Sequence, residues 1–215
     1  MTPYEEAVAV ASGNGLQVWS NSIQVQTPFL GMPQEVKTQG PFKLDVARNE
    51  VATTQLVVSP YRKLDALKIV PADLKNSNGD TIKAEQWDIR RIGFINMAPP
   101  KSKMLDMRPD PLLDNTPTYE VAARVNVPYA MTLKTSNDTK PGLYKGNFKV
   151  TDGKNSLSIP VEVNVYKFAL PDTARLKTFF YARHNEWGCF ANLPVEETED
   201  NIYAYLKEIR INGNQ

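Results

Sequence analysis

A chain of 215 residues has room for one complete domain and part of a second. Lys and Arg number 25 against 24 for Asp and Glu, so the net charge of +1 gives no electrostatic footprint for nucleic acid or an anionic membrane. The single cysteine, Cys189, excludes an internal disulfide framework and a thiolate zinc cage, and no run approaches the roughly 18 apolar residues of a membrane span.

Residues 1–15 read as an N-terminal extension. Glu5 and Glu6 stand beside the short apolar run Ala7 to Ala11, with neither the basic start nor the apolar length of a signal peptide. From residue 16 to residue 171 the apolar residues come in short strand-like runs separated by Pro, Gly, Asn and Asp, which predicts an antiparallel β-sandwich. Leu16 to Trp19 opens it, Phe42 to Val46 alternates apolar with polar, and Thr54 to Ser59 is a more continuous run stopped by Pro60. Ala66 to Val70 leads through Leu74 into the turn Asn76 to Asp80, where Asn78-Gly79 supplies a tight reversal. Ile82 to Ile95 returns as one or two strands carrying Trp87, Ile89, Ile92 and Phe94.

Five prolines between Ala98 and Pro117 exclude a central strand, and the segment reads as a long ordered loop. Four strands follow, over Tyr119–Val127, Tyr129–Thr135, Gly142–Val150 and Leu157–Tyr166, with Asp152-Gly153 as a hairpin turn between the last two. The predicted core contains Leu56, Val58, Ile69, Val125, Phe148, Val150, Val161 and Val163.

After Pro171 the pattern changes. Leu176 to Tyr181 reads as one more strand, and Thr198 to Ile211 places Ile202, Tyr205, Leu206 and Ile209 at helical spacing, with Glu199 and Asp200 near the start and Lys207 and Arg210 near the end to match the helix dipole. A βα unit belongs to a parallel sheet whose next strand is not in the sequence. Residues 172–215 are therefore expected to be the start of a truncated (β/α)8-like barrel, with apolar faces that fray, fold back or pair with another chain.

Several stretches occur together in a characteristic order: Arg48-Asn49-Glu50 with Gln55 to Val58, Pro109-Asp110-Pro111-Leu112-Leu113, Pro141 to Gly146, Val161 to Tyr166, and Leu170-Pro171. In that order they resemble the amino-terminal β-sandwich of glycoside hydrolase family 123 and its bacterial relatives, and Leu176 onward is similar to the first strand and helix of that family's barrel. The resemblance implies a bacterial, secreted or periplasmic enzyme that hydrolyses β-N-acetylgalactosaminides with no cofactor. The 2-acetamido oxygen of the substrate attacks the anomeric carbon, helped by an Asp and a general acid/base Glu. In the family that pair lies on a later barrel strand, so no catalytic residue is assigned here and the chain by itself is expected to be silent, its glycan partner being met through the barrel.

Barrel enzymes build their substrate sites at the carboxyl ends of strands, which makes Arg183, His184, Asn185, Glu186 and Trp187 the candidate substrate-binding residues. Trp187 would stack on a sugar, His184, Asn185 and Glu186 would bond its hydroxyls, and Arg183 would pair with a carboxylate. Asp106, Asp110 and Asp114 fall four apart, but Pro109 and Pro111 forbid the helix that would align them. Asn76, Asn78, Gly79 and Glu85 match calcium-loop positions, yet Leu74 stands where the first ligand should be, so they read as a turn. Trp19 and Trp87 read as core or interface packing rather than sugar platforms. Two other functions fit a sandwich: a stand-alone carbohydrate-binding or adhesion module, favoured by exposed coplanar aromatics, and a protein-interaction domain, favoured by an apolar patch closed by another subunit.

Overall fold

Alternation along a strand gives it one apolar face, and two sheets laid face to face bury those faces together. In the computed structural model of the protein, residues 7–31, 38–99, 103–116, 120–173 and 194–208 are described. The strands in chain order are β1 (Val8–Gly13), β2 (Leu16–Asn21), β3 (Thr38–Gln39), β4 (Phe42–Arg48), β5 (Val51–Pro60), β6 (Lys68–Val70), β7 (Leu74–Lys75), β8 (Thr81–Ile82), β9 (Trp87–Asn96), β10 (Met107–Asp114), β11 (Val127–Lys134), β12 (Gly142–Thr151) and β13 (Ser156–Ala169). A seven-stranded sheet has the order β10-β9-β11-β5-β2-β1-β3, and a six-stranded sheet runs β4-β13-β12-β7-β8 with β6 also paired to β12. Neighbours are antiparallel except β1 with β3 and β4 with β13, which run parallel. By its contacts the chain divides into two compact units, Met1–Ala169 and Leu170–Gln215.

Val18, Leu56 and Val58 of the first sheet and Phe42, Val161 and Val163 of the second belong to one buried cluster. Trp87 of β9 bridges the sheets: its ring meets Phe148 of β12 edge-on at 5.1 Å and lies 6.5 Å from Phe42 of β4. Of the expected core, Leu56, Val58, Ile69, Phe148, Val150, Val161 and Val163 are buried, and Val125 packs half-buried against them. The chain changes sheet at Arg48-Asn49-Glu50, where Asn49 takes a left-handed φ of 56°. The Glu50 carboxylate accepts the Ala47 N–H at 2.5 Å, and the Thr135 hydroxyl donates to the Ala47 carbonyl at 2.7 Å while accepting the Glu50 N–H at 2.9 Å. That closes the corner without an unpaired backbone group among those three.

Besides the edge strand β10, which forms within the segment expected to be a loop, three elements differ from expectation. Residues 8–13, assigned to an extension, are β1, joined to β2 through Asn14 and Gly15, whose φ values of 53° and 74° are those a two-residue type I′ turn requires. In place of a strand over Tyr119–Val127, residues 120–126 carry two isolated bridges, Leu64 with Val121 and Leu30 with Val125, and Arg124 at φ 66° breaks the pleat between them. The helix of the second unit spans Val195–Glu208 and buries Ile202 and Leu206, but Tyr205 is 61% exposed, so its apolar stripe is narrower than the spacing suggested. Ile209 and the expected strand Leu176–Tyr181 lie outside the described residues.

Two of the described hairpin turns are closed by side-chain bonds. Between β7 and β8, the Asn76 carboxamide oxygen accepts the N–H groups of Asn78 at 3.0 Å and Asp80 at 2.9 Å, and its nitrogen donates to the Asp80 carboxylate at 2.8 Å. Asn76, Asn78 and Gly79, three of the residues with calcium-loop spacing, thus lie in one hairpin turn closed around Asn76, and Glu85 lies beyond it in a short 3-10 turn. Between β12 and β13, the buried Asp152 accepts the N–H groups of Lys154 at 2.9 Å and Asn155 at 2.6 Å and pairs with the Arg62 guanidinium. Arg62 Nε also donates to the Asn14 carbonyl at 3.1 Å, and Asn14 Nδ2 to the Ser156 carbonyl at 3.0 Å, so one ion pair ties together three turns at the same end of the sandwich. Burial alone would push the Asp152 carboxyl up, but the Asn155 N–H, the Arg62 guanidinium and the Lys154 N–H outweigh it and hold the group well below the usual carboxylate range.

Gly79 sits at φ 86° with open space around its α-carbon, so Gly79→Val meets no clash and is penalised by backbone conformation alone. It should lower stability by about 1 kcal/mol in urea unfolding, and a neutral result would contradict the turn geometry. Asp152 has a folded pKa below its unfolded one, so its stabilisation is present at neutral pH and drains away as pH falls. Asp152→Asn should therefore cost about 2 kcal/mol at pH 7, with the gap to the parent narrowing steadily below about pH 5. A gap unchanged at pH 3 would contradict the charge pairing.

Candidate functional site

The outer face of the seven-stranded sheet carries Gln55, Val57 and Ser59, which alternate with the inward Leu56 and Val58, and Trp19 lies opposite Val57 on β2. Trp19 and Val57 are nonetheless completely buried, forming a second small cluster with Ala7. The segment after β2 lies over this face and is pinned there by buried polar groups. The Trp19 indole N–H donates to Ser59 Oγ at 2.9 Å, and Ser59 Oγ donates to Asn126 Oδ1 at 2.5 Å. Asn126 Nδ2 then donates to the carbonyls of Pro28 at 2.8 Å and Gly31 at 2.7 Å, while its backbone N–H donates to Phe29 at 2.9 Å. Thr27, buried, donates its hydroxyl to Gln55, whose Nε2 reaches the Val25 carbonyl at 3.5 Å. A loop whose carbonyls are satisfied in this way is fixed to the sheet as firmly as a strand would be.

Along the far edge of the same sheet runs β10, in the segment expected to be a loop. Pro109 and Pro111 do exclude a central position, but an edge strand needs ladder bonds on one side only, and a bulge between Pro109 and Leu112 sets Asp110 and Pro111 against the single residue Gly93. Among the three carboxylates at four-residue spacing, Asp106 pairs with Arg108 at 2.7 Å and Asp114 with Arg90 at 2.6 Å, while Asp110 is exposed. They do not converge.

Between the pinned loop and the edge strand lies an open groove of about 430 Å³, lined by residues 26–30 on one side and 105–109 on the other. Phe29 is held by Phe94 of β9 in a T-shaped contact, with ring centroids 5.1 Å apart and planes at 72°. Arg108 grips Asp106 through Nε at 2.7 Å and Nη2 at 3.4 Å, and Nη1 reaches Gln26 Oε1 at 3.5 Å across the groove. Asp106 is itself fixed: its N–H donates to Asn96 Oδ1 at 3.1 Å and its carbonyl accepts the Met97 N–H at 2.8 Å. No sequence signal marked this groove, because its two walls are 80 residues apart in the chain and meet only through the sheet.

Arg183, His184, Asn185, Glu186 and Trp187, the candidate substrate-binding residues, lie outside the described residues. Exposed aromatics do occur on β13, where Tyr166 and Phe168 stack on each other at 5.5 Å with planes 10° apart. Each ring covers a face of the other, which is not the side-by-side platform of a sugar-binding surface. Trp19 and Trp87 are core residues, as expected.

The family model for the glycoside hydrolase 123 N-terminal domain matches residues 31–152. In fold the chain is similar to a family 123 glycoside hydrolase from Clostridium perfringens, studied for glycolipid glycan hydrolysis, with a TM-score of 0.65 and 16% identity over 92% of this chain and 37% of that one. Far weaker similarities are to AvmM, a macrocyclisation catalyst (TM-score 0.29, 8% identity, 75% of this chain and 98% of that one), and to the C-terminal domain of the Streptococcus agalactiae AgI/II polypeptide BspA (TM-score 0.23, 15% identity, 61% and 48%). No curated protein matches the sequence. The chain thus spans little more than a third of the length of the Clostridium enzyme, and with more than half of its residues matched it belongs to the glycoside hydrolase 123 N-terminal domain family.

Proposed function

We propose that this chain is the accessory β-sandwich of a glycan-hydrolysing protein whose substrates are β-N-acetylgalactosaminides, and that the sandwich itself does not cleave them. The observation that carries this reading is the groove's carboxylate. Glycoside hydrolysis needs two acidic groups set against one sugar, one of them protonated or poised to attack. Asp106 is the one carboxylate among the residues lining the groove, and it is held bidentate by Arg108, so no second acid stands opposite it across a sugar. Membership of the family supports a glycan-related role, and β-N-acetylgalactosaminides are the substrate class that the resemblance implies. Because such substrates are polymers or cell-surface conjugates, the protein works outside the cytoplasm.

In this reading the sugar-contacting residues proposed from the sequence, Arg183, His184, Asn185, Glu186 and Trp187, act at the mouth of a barrel that follows the sandwich. The 215-residue chain should release no phenol from aryl β-N-acetylgalactosaminides, whereas a chain carrying a family 123 barrel behind the same sandwich should. Turnover by the 215-residue chain would overturn the accessory role. In the active protein, Trp187→Ala should lower kcat/KM by about tenfold through loss of a stacking surface, with the thermal midpoint unmoved. Full activity in that variant would remove Trp187 from the site.

A further inference from the structure

We propose that the groove between residues 26–30 and 105–109 is a binding subsite for one pyranose unit of an uncharged glycan. The inference rests on the accessory-domain reading and gives the sandwich a task within it, that of holding a part of the glycan that is not being cleaved. The groove's volume of about 430 Å³ lies in the range of roughly 300 to 1,000 Å³ that small-molecule sites occupy. Pro28, Phe29, Leu30, Met107 and Pro109 give it an apolar lining, which suits the C–H face of a sugar ring.

The polar wall decides the charge of the occupant. Arg108 and Asp106 neutralise each other through two hydrogen bonds, so an anionic ligand would have to displace Asp106 and a cationic one Arg108. What remains on offer is uncharged in sum: Gln26 Nε2, which donates to none of the described residues, and the second lone pairs of the Asp106 oxygens. Donors and acceptors in that mixture recognise hydroxyl and acetamido groups. The wall opposite is already ordered, because Asn126, Ser59, Gln55 and Thr27 fix the loop before any ligand arrives, and binding therefore costs little further conformational entropy.

The edge strand argues against a peptide or a second copy of the chain as occupant. A partner that bound by adding a strand to β10 would find no N–H at Pro109 and Pro111, and the bulge between Pro109 and Leu112 bends the edge out of register. A sugar makes no such demand.

The test is a nuclear magnetic resonance titration of the 15N-labelled 215-residue chain with the methyl β-glycosides of N-acetylgalactosamine, N-acetylglucosamine, galactose and glucose, each to about 50 mM, which captures millimolar dissociation constants. At least one should shift the amides of Gln26, Phe29, Asp106 and Arg108 saturably. Arg108→Ala and Gln26→Ala, both at exposed side chains, should weaken that binding by about tenfold with the rest of the spectrum unchanged, and Tyr166→Ala should leave it intact. Absence of a saturable shift with all four sugars, shifts that map elsewhere, or shifts of the groove amides with protein concentration in the absence of sugar would each overturn the proposal, the last by assigning the groove to a second copy. Hydrolysis is read separately: failure to bind removes the subsite and leaves the accessory role standing, whereas turnover by this chain removes the accessory role whatever the groove binds.

Discussion

Trp19 lies on the outer face of a seven-stranded sheet, and a tryptophan buried to nothing on an outer face has to be covered. A sandwich hides the inner faces of its sheets against each other and normally leaves the outer faces to solvent. Here the outer face has a lid of its own, the segment after β2, and the physical problem is how to hold irregular backbone over an apolar patch without stranding its carbonyls. Asn126 solves it. One buried carboxamide and its backbone N–H take the carbonyls of Pro28, Phe29 and Gly31, and Ser59 and Trp19 complete the chain of bonds down to the sheet. Half-satisfied, such a network would cost more than an apolar contact; fully paired, it fixes one conformation.

The edge strand is the other half of the same arrangement. A sheet that ends in an unpaired strand invites another chain to extend it, and natural sequences blunt such edges with proline, charge and bulges. β10 uses all three: Pro109 and Pro111, the charge of Asp114 paired with Arg90 of β9, and the bulge opposite Gly93. The blunted edge and the pinned loop leave a groove that is concave, partly apolar and closed to strand addition. Its geometry is a consequence of covering one face and protecting one edge.

The interior strands were legible because alternation leaves a mark in every strand: Val161, Val163 and Val165 face in, and their intervening residues face out. The β1–β2 hairpin leaves its mark in the Asn14-Gly15 turn, but its first strand is a short, alanine-rich run that carries little strand signal of its own. Val121 and Val125 have strand-like composition but pair with Leu64 and Leu30 only through isolated backbone bridges, with Arg124 in a left-handed conformation between them. A proline-rich edge strand is ambiguous in principle, since composition records the missing donors and not which side of the strand needs them. The groove was not legible at all. The bonds that build it join Asn126 to residues 98 and 95 positions away, and no local pattern encodes a pairing at that distance.

The fold survives at 16% identity to the Clostridium enzyme because what specifies it is tolerant. Inner positions need only be apolar and of roughly the right volume, so Val, Ile, Leu and Phe exchange freely as long as total packing holds. Corners are less forgiving. At Arg48-Asn49-Glu50 the chain must leave one sheet for the other, which takes a left-handed residue, a carboxylate of the right length for the Ala47 N–H, and a hydroxyl from Thr135 to close the remaining bonds. This division explains why family likeness was readable from a few short stretches in order while most of the sequence between them carried none. The groove residues fall in neither class: Gln26 and Arg108 are exposed and paired across the gap, and the sandwich would stand without them. Exposed polar residues held in a fixed relation by a costly buried network are where a structural domain has room to acquire a ligand.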